Sequence, residues 1–340
     1  MGSATAWWLA RRGHDVVVLE RFARDHDRGS SHGATRIFRL AYDDPVHVRM
    51  ARDALALWRE QEDDAGAALL ETTGGVDHGP RARIEALASV LGHQGVDHHV
   101  LSPEAAHERW PGMRFDEAVL FQPDAGRCWA DRTVRALQDG AARLGAELHF
   151  HVGRPELCWS GDGSAPEVRA GDHRWRPRAV VVTVGAWVTE VLGDRVELER
   201  HTVTLEQVQH YTPTDPLGES TQWPSFLHHR RDQPLVYGLL SPGEGVKVDE
   251  HHAGRVVDPE HDSRAADPHR REAVNRYVKH WFPGLDPTPR HTTTCLYTTT
   301  PDESFRIFRH GPVVVGMACS GHGFKFTPLI GRRLADLATG

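Results

Sequence analysis

One segment near the C-terminus constrains the fold of this chain most, because it runs from a strand pattern through a glycine turn into a helix pattern. Residues 311–318 form a short apolar run, typical of a buried strand. The turn at residues 320–326 contains Gly321, Gly323 and Lys325. Helical spacing then follows in the apolar residues Leu329, Ile330, Leu334, Leu337 and Ala338. The order predicts an α/β unit.

Two chemical interpretations of that turn are open. Paired glycines let a backbone approach a flat or charged ligand. A helix start next to Lys325 favours negative charge, such as a phosphate or a reduced flavin. An equally good interpretation is a glycine-rich turn with a surface lysine.

The N-terminus carries a second α/β signal. Residues 4–12 predict a helix that ends at Gly13, and residues 14–20 predict a buried strand that ends in Glu20. Gly2, the helix, the strand and Glu20 match the back half of a dinucleotide-binding βαβ unit, in which a glycine turn holds pyrophosphate and the acid binds a ribose hydroxyl. We expect a sheet without the first strand of such a unit, since that strand and the first two glycines are not in the sequence. Other helix-strand pairs that end in an acid would look similar.

Further patterns predict a mixed architecture. Residues 179–187 read as a buried strand of parallel type that enters a glycine turn at Gly185. Alternating residues 202–208 and 235–239 are typical of antiparallel strands. An amphipathic helix that packs on a core is expected at residues 44–60, and further helices are expected at residues 131–144 and 271–282.

The strand pattern at residues 245–251 has two faces. Alternation places Lys247, Asp249 and His251 on one face and apolar valines on the other. The polar face is exposed either to solvent or to a polar pocket, and a lysine on such a strand is usually solvated.

Residues 28–39 are polar, contain glycine and are rich in hydrogen-bond donors. Arg36 and Arg39 would share a face if this segment were helical. The alternative is a basic surface loop.

Composition narrows the functional classes. A net charge of -7 gives no reason to expect nucleic acid or an anionic membrane as a partner. The 24 histidines are scattered, form no metal-binding pattern and read mostly as surface residues. Four widely spaced cysteines without a C-x-x-C pair favour a reducing cytoplasm. The sequence contains no run of 18 apolar residues, so it predicts no transmembrane helix.

Four stretches in chain order together resemble the monomeric sarcosine oxidase and N-methyltryptophan oxidase family of flavoproteins, in the D-amino-acid-oxidase superfamily. They are residues 29–42, the strand pattern with Lys247 and His251, the motif Cys295-x-Tyr297-Thr298-x-Thr300-x-Asp302-x-x-Phe305, and residues 320–326. The resemblance implies a Rossmann-like FAD-binding domain interleaved with an antiparallel-sheet substrate domain. We assign residues 1–72, 131–199 and 302–340 to the former and residues 73–130 and 200–301 to the latter.

The same resemblance implies a site. Cys295 matches the covalent attachment point of the flavin, and Lys247 matches an oxygen-activating lysine. His32 and Arg36 match positions next to the flavin ring. Expected FAD contacts are Cys295, Gly2, Glu20, Ser30, Thr35, Arg36, Gly185, Gly321, Gly323, Phe324 and Lys325.

On the substrate side, Arg39 and Lys325 match a pair that binds the substrate carboxylate, and the resemblance implies that Tyr237 and His251 line the substrate. The implied reaction is FAD-dependent oxidation of a secondary-amine amino acid of the sarcosine type. Hydride transfer to the flavin, hydrolysis of the imine and reoxidation by O2 yield hydrogen peroxide. The family suggests a monomer.

Two alternatives stay open. One is a biosynthetic flavoenzyme that acts on a cyclic imino acid or a glycated amino acid. The other is a truncated, non-catalytic fragment that binds no FAD, suggested by the missing first strand. The sequence also departs from the family pattern at residues 204–207, which lack the Pro-x-Arg-Gln of some members, and by ending at Gly340.

Overall fold

The structure, a computed structural model, describes residues 1–160, 166–214, 223–317 and 319–340. Within these ranges the chain forms eight α-helices and twenty strands. The helices are α1 (Gly2–Arg11), α2 (Pro45–Ala65), α3 (Arg81–His93), α4 (Pro103–Arg109), α5 (Ala130–Arg143), α6 (Val188–Leu192), α7 (Pro268–Trp281) and α8 (Thr327–Thr339). The strands are β1 (Val17–Leu19), β2 (Thr35–Phe38), β3 (Leu70–Thr72), β4 (Gly75–Gly79), β5 (His99–Leu101), β6 (Ala118–Gln122), β7 (Gly126–Trp129), β8 (Glu147–His149), β9 (Glu156–Cys158), β10 (Glu167–Ala170), β11 (His173–Trp175), β12 (Val180–Val182), β13 (Thr202–Pro213), β14 (Ser225–His228), β15 (Val236–Ser241), β16 (Gly245–Glu250), β17 (Arg255–Val256), β18 (Leu285–Thr299), β19 (Arg306–His310) and β20 (Val313–Met317).

Parallel strands form the part of the molecule that contains both chain ends. β1 pairs with β8 in one sheet, and β12 pairs with β20 in a second sheet that β19 extends. Among the described residues no strand joins the two sheets. Residues 311–318 were correctly predicted as a buried strand, although Ala318 lies outside the described residues.

The strand at residues 14–20 is less buried than the sequence predicted. Val17 is 40% exposed, because β1 pairs only with β8 in a two-stranded sheet. An uninterrupted apolar run does not reveal how many neighbours a strand has.

α1 packs closely between α5 and α8, and small residues allow the approach. A side chain at Gly331 would lie 2.5 Å from Ala4 Cβ, and one at Gly140 would lie 2.8 Å from the Trp7 ring. α2 begins where Asp44 caps the backbone N–H of Val46 at 2.8 Å. The buried faces of these helices form one core, so the predicted packing role of residues 44–60 is confirmed.

A nine-stranded sheet forms the other large layer. Its order is β17-β13-β16-β15-β14-β4-β6-β5, and β18 pairs with β13. The pairings are antiparallel as predicted, except that β4 and β14 run parallel. α7 covers this sheet, and Phe226 and Phe282 pack between them, 4.8 Å apart by ring centroids.

The division of the chain into two domains stays a prediction. β7, placed with the substrate domain, pairs with β2 and β3 in a small separate sheet. In the described part of the chain, no helix is both long and apolar enough to cross a bilayer.

Candidate active site

A cavity of about 480 Å³ lies where the parallel strands meet the nine-stranded sheet. All sixteen residues that the sequence assigned to a site line it. They are Gly2, Glu20, Ser30, His32, Thr35, Arg36, Arg39, Gly185, Tyr237, Lys247, His251, Cys295, Gly321, Gly323, Phe324 and Lys325. Their convergence is a result of the tertiary structure, since they come from most of the chain length.

The nucleotide-type residues follow the parallel strands. Glu20 comes directly after β1, and Gly185 follows β12 with a φ of +56°. Gly2 opens α1, where a side chain would lie 2.7 Å from Thr183 Oγ1. In open α/β sheets, ligands bind beyond the carboxyl ends of the strands, and this part of the cavity has that position.

The loop before β2 is fixed by a single guanidinium. Arg36 donates hydrogen bonds to the carbonyls of Thr35 at 2.8 Å, Ser30 at 3.0 Å and His32 at 2.6 Å. Ser30 Oγ in turn donates to Leu296 O at 2.6 Å, which ties the loop to β18. The segment is therefore not helical: its second part is β2, and the loop before β2 lines the cavity although Arg28, Ser30 and Ser31 are exposed.

Arg36 and Arg39 do not share a helical face, because Arg36 lies in β2 and Arg39 just beyond its end. Both nonetheless line the cavity.

Lys247 is a buried cation. Its side chain is only 8% exposed, and Nζ donates to Thr35 O at 3.3 Å. Burial, followed by repulsion from Arg36, lowers the pKa of Lys247 to about 8. The solvated lysine that is usual on such a strand is thus excluded, and the polar face of β16 borders a pocket.

The structure adds a residue that the sequence did not single out. Glu244, in the turn between β15 and β16, lines the cavity with Oε2 3.6 Å from Lys247 Nζ. The sequence contained a signal for this contact, because a carboxylate in a tight turn three residues before a strand lysine can reach the lysine ammonium. Only the strand pairing shows that both point into one cavity.

Lys325 and Arg39 form a second cationic group. Lys325 is 6% exposed, and its ammonium donates to His322 O at 2.8 Å. Burial and the nearby Arg39 lower the pKa of Lys325 to about 7. The interpretation of Lys325 as a surface lysine is therefore wrong.

Arg39 is held by its neighbours on several sides. Its guanidinium donates to Ala41 O, lies 4.1 Å from the centre of the Tyr42 ring and comes within 4.0 Å of Asp77. Asp77 is itself fixed by Gln122 at 2.8 Å. Arg39 is thus oriented in advance.

Aromatic rings surround the remaining predicted residues. His251 lies edge-on to the rings of Tyr237 and Tyr297, with centroids 6.0 and 5.6 Å away. Burial lowers the pKa of His251 well below its usual range and raises that of Tyr237 well above it. Both side chains are neutral at physiological pH.

Cys295 and Gly321 face the cavity from different elements. Cys295 lies in β18, its thiol is free, and burial raises its pKa to about 11. Gly321 has a φ of +74°, and a side chain there would lie 2.1 Å from the Tyr297 ring. Only glycine fits this turn.

The lining suits a large polar cofactor. Among the described residues, five buried polar atoms of cavity-lining side chains have no hydrogen-bond partner: His32 Nε2, Thr35 Oγ1, Gln138 Oε1, His210 Nδ1 and His322 Nδ1. Lys247 and Lys325 are buried cations, which favours a ligand that carries negative charge. FAD supplies hydrogen-bonding groups, a pyrophosphate and, when reduced, an anionic ring, so the residues present fit it.

The prediction that the histidines are mostly on the surface holds for most of them, but three are buried. His78, His210 and His228 are 1%, 1% and 3% exposed. They lie in interior strands, and His78 stacks on His228 with centroids 4.1 Å apart. Composition alone does not locate such residues.

Comparison with known proteins agrees with this geometry. Residues 1–337 match the family described as FAD dependent oxidoreductase (DAO). The chain is 33% identical to a monomeric sarcosine oxidase of Streptomyces avermitilis, covering 99% of this chain and 91% of that protein. It is 30% identical to the peroxisomal sarcosine oxidase of Homo sapiens, covering 99% and 89%.

Among solved structures, an open form of NikD, described as an unusual amino acid oxidase essential for nikkomycin biosynthesis, superposes with a TM-score of 0.87. It is 28% identical and covers 99% of this chain and 90% of that one. The match spans both the parallel strands and the nine-stranded sheet. The chain therefore belongs to the DAO family of FAD-dependent oxidoreductases.

Proposed function

We propose that this protein is an FAD-dependent oxidase of secondary-amine amino acids, of the sarcosine or N-methyl type, with O2 as electron acceptor. Its relatives in two organisms are named sarcosine oxidases. The observation that carries the proposal is the convergence of Lys247, Cys295 and the Arg39–Lys325 pair on one cavity.

Arg39 and Lys325 would bind the substrate carboxylate. A guanidinium offers two parallel donors and an ammonium adds a point charge, which together match a carboxylate. Lys325 is buried and the Arg39 side chain is only 18% exposed, so water screens the interaction weakly. Tyr237 and His251, neutral in this environment, would line the amine side.

Bound FAD would accept the hydride from the C–H beside the amine nitrogen and deliver two electrons to O2, giving hydrogen peroxide. Lys247 would hold a positive charge where negative charge develops on oxygen. Arg36 fixes the loop that carries His32, and both would lie beside the flavin ring. The glycines at positions 2, 185, 321 and 323, with Glu20, Ser30, Thr35 and Phe324, would contact the rest of the cofactor.

Cys295 would attach FAD covalently through a thioether. It lines the cavity as a free thiol, which supports the proposal. Cys319 also lines the cavity and provides a matched control, whereas Cys128 is fully buried outside it.

The protein would act as a monomer in the cytoplasm. Relatives named monomeric sarcosine oxidase support the first part. Free thiols at all four cysteines suit a reducing compartment.

A second candidate function is biosynthetic oxidation of a cyclic imino acid or a glycated amino acid. The resemblance to NikD favours it, because that oxidase serves a biosynthetic route. The same FAD and carboxylate residues would be used, and only the amine pocket would differ.

Purified protein would be denatured, separated on an SDS gel and viewed under ultraviolet light, beside Cys295→Ala and Cys319→Ala. A fluorescent band in the parent and in Cys319→Ala, but not in Cys295→Ala, is expected. Peroxide release would then be measured with N-methyl, cyclic and glycated amino acids. Bound flavin with no peroxide from any secondary-amine amino acid would refute the proposed function.

A further inference from the structure

The turn between β15 and β16 presents a carboxylate to Lys247 in an organised way. Glu244 Oε2 accepts a hydrogen bond from Ser241 Oγ at 2.6 Å, and the Glu244 N–H donates to Ser241 O at 2.9 Å. The same oxygen lies 3.6 Å from Lys247 Nζ and 3.8 Å from His210 Nδ1. These contacts fix the carboxylate toward Lys247.

We propose that Glu244 is a positioning residue that keeps Lys247 protonated at the cavity wall. This inference rests on the proposed function of Lys247 toward O2 and adds a residue that this function did not include. It follows from an ion pair between a buried ammonium and an oriented carboxylate.

Most of the surroundings of Lys247 disfavour its protonated form, so the ammonium needs a nearby negative charge. From β2, the cation Arg36 disfavours a second positive charge, and burial acts in the same direction. The imidazoles of His32 and His210 do not add charge, since burial lowers their pKa to about 4 and about 3. Asp131, at the start of α5, favours the ammonium less strongly than Glu244.

Across the strands, Lys247 is in register with His210 on β13 and with Leu239 on β15. Neither neighbour supplies a negative charge. Cys295 on β18 also faces this region, and burial keeps its thiol protonated by raising its pKa to about 11. Among the described residues, Glu244 is therefore the carboxylate that forms an ion pair with Lys247.

The rate of O2 reduction depends on the positive charge of Lys247. Reduction of O2 to hydrogen peroxide consumes two electrons, which the substrate supplies through FAD, and two protons. An ammonium stabilises the negative charge that develops on oxygen, whereas a neutral amine does not. If Glu244 holds the proton on Lys247, loss of Glu244 narrows the pH range over which O2 is reduced quickly.

The lysine content of the chain allows a direct test. Lys247, Lys279 and Lys325 are its only lysines. Protein purified with its FAD and labelled with 13C at the lysine ε-carbon gives three NMR signals, each of which titrates with its own ammonium. Lys279→Arg and Lys325→Arg assign the signals.

The variants are Glu244→Gln, Glu244→Asp and the control Glu250→Gln. Glu250 lies three residues after Lys247 and pairs with Arg230 at 2.7 Å instead. Removing an opposite charge at this distance is expected to lower the Lys247 midpoint by about 1 pH unit or more. Glu244→Asp should lower the Lys247 midpoint less than Glu244→Gln does, because the carboxylate is retained. Glu250→Gln should leave the midpoint unchanged.

Stopped-flow kinetics provide the second readout. In Glu244→Gln, the pH above which reoxidation by O2 slows should fall with the Lys247 midpoint, while anaerobic reduction by substrate keeps its rate. An unchanged Lys247 midpoint, or an unchanged pH profile of reoxidation despite a shifted midpoint, would overturn the inference.

The two proposals fail in different ways. Protein that carries no flavin contradicts the proposed function, yet the lysine titration in the same sample still decides whether Glu244 holds the proton. If Glu244→Gln does not fold, Ser241→Ala tests the same point by removing the hydrogen bond that orients the carboxylate. In Ser241→Ala the Lys247 midpoint should fall as it does in Glu244→Gln, and an unshifted midpoint would refute the inference.

Discussion

Replacing Lys325 by Met should stabilise the protein when neither cofactor nor substrate is bound. The same replacement should weaken substrate binding. Lys325 has a pKa of about 7 in the folded chain against 10.5 ordinarily. Each unit of lowering costs the protonated folded state ~1.4 kcal/mol, so a lowering of about 3.5 units gives a full penalty on the order of 5 kcal/mol. Met fills a similar volume without the charge.

The gain in stability from Lys325→Met should decrease as the pH rises. The penalty applies fully below pH 7, where folded Lys325 must be protonated, and it declines as the pH rises toward 10.5, where the unfolded lysine also loses its proton. Urea unfolding of the flavin-free protein should therefore show Lys325→Met stabilised most at pH 6, with the difference shrinking toward pH 10.

In contrast to stability, substrate affinity should fall in Lys325→Met. A hydrogen bond to a charged group contributes about 1.5–3 kcal/mol, so the Kd of a substrate carboxylate should rise roughly 10- to 150-fold. Anaerobic titration of the flavin spectrum with N-methylglycine measures this. N-methylethylamine, which lacks the carboxylate, should bind both proteins equally.

Lys279→Met is the matched control, because Lys279 is exposed on α7, away from the cavity. It should change neither stability nor Kd. Equal weakening of both amines in Lys325→Met, or a stability difference that does not vary with pH, would refute the reasoning.

Gly321→Ala should abolish flavin retention, since its methyl would lie 2.1 Å from the Tyr297 ring at a φ of +74°; cofactor content after gel filtration measures this, and full retention would contradict the predicted close packing. Lys247→Met should slow reoxidation by O2 at least about 100-fold with little effect on anaerobic reduction; an unaltered reoxidation rate in stopped-flow would exclude its role. Arg39→Lys should raise the substrate Kd roughly 10-fold, because the planar fork that stacks on its aromatic neighbour and approaches Asp77 is lost; an unchanged Kd would place the carboxylate elsewhere.

Local patterns were sufficient to predict most elements of the fold. The helices at residues 44–60, 131–144 and 271–282 correspond to α2, α5 and α7, because amphipathic periodicity and caps act over a few residues. The antiparallel strand at residues 245–251 was likewise correct and corresponds to β16. In each case the information lies within one element.

The family motifs identified the candidate site residues, and all of them line one cavity. Their roles stay proposals. The sequence could place these residues near one another only through the resemblance, since no spacing rule connects Gly2 with Lys247 or Cys295.

Exposure and pairing were decided by the tertiary structure. Val17 and Lys247 both occur in short strand patterns, yet the former is 40% exposed and the latter 7%. The physical reason is that burial depends on how many strands and helices cover a residue, and those come from distant parts of the chain. The contact of Glu244 with Lys247, and the lowered pKa of two lysines, exist only because β13, β15 and β16 pair beside β2 and close the cavity.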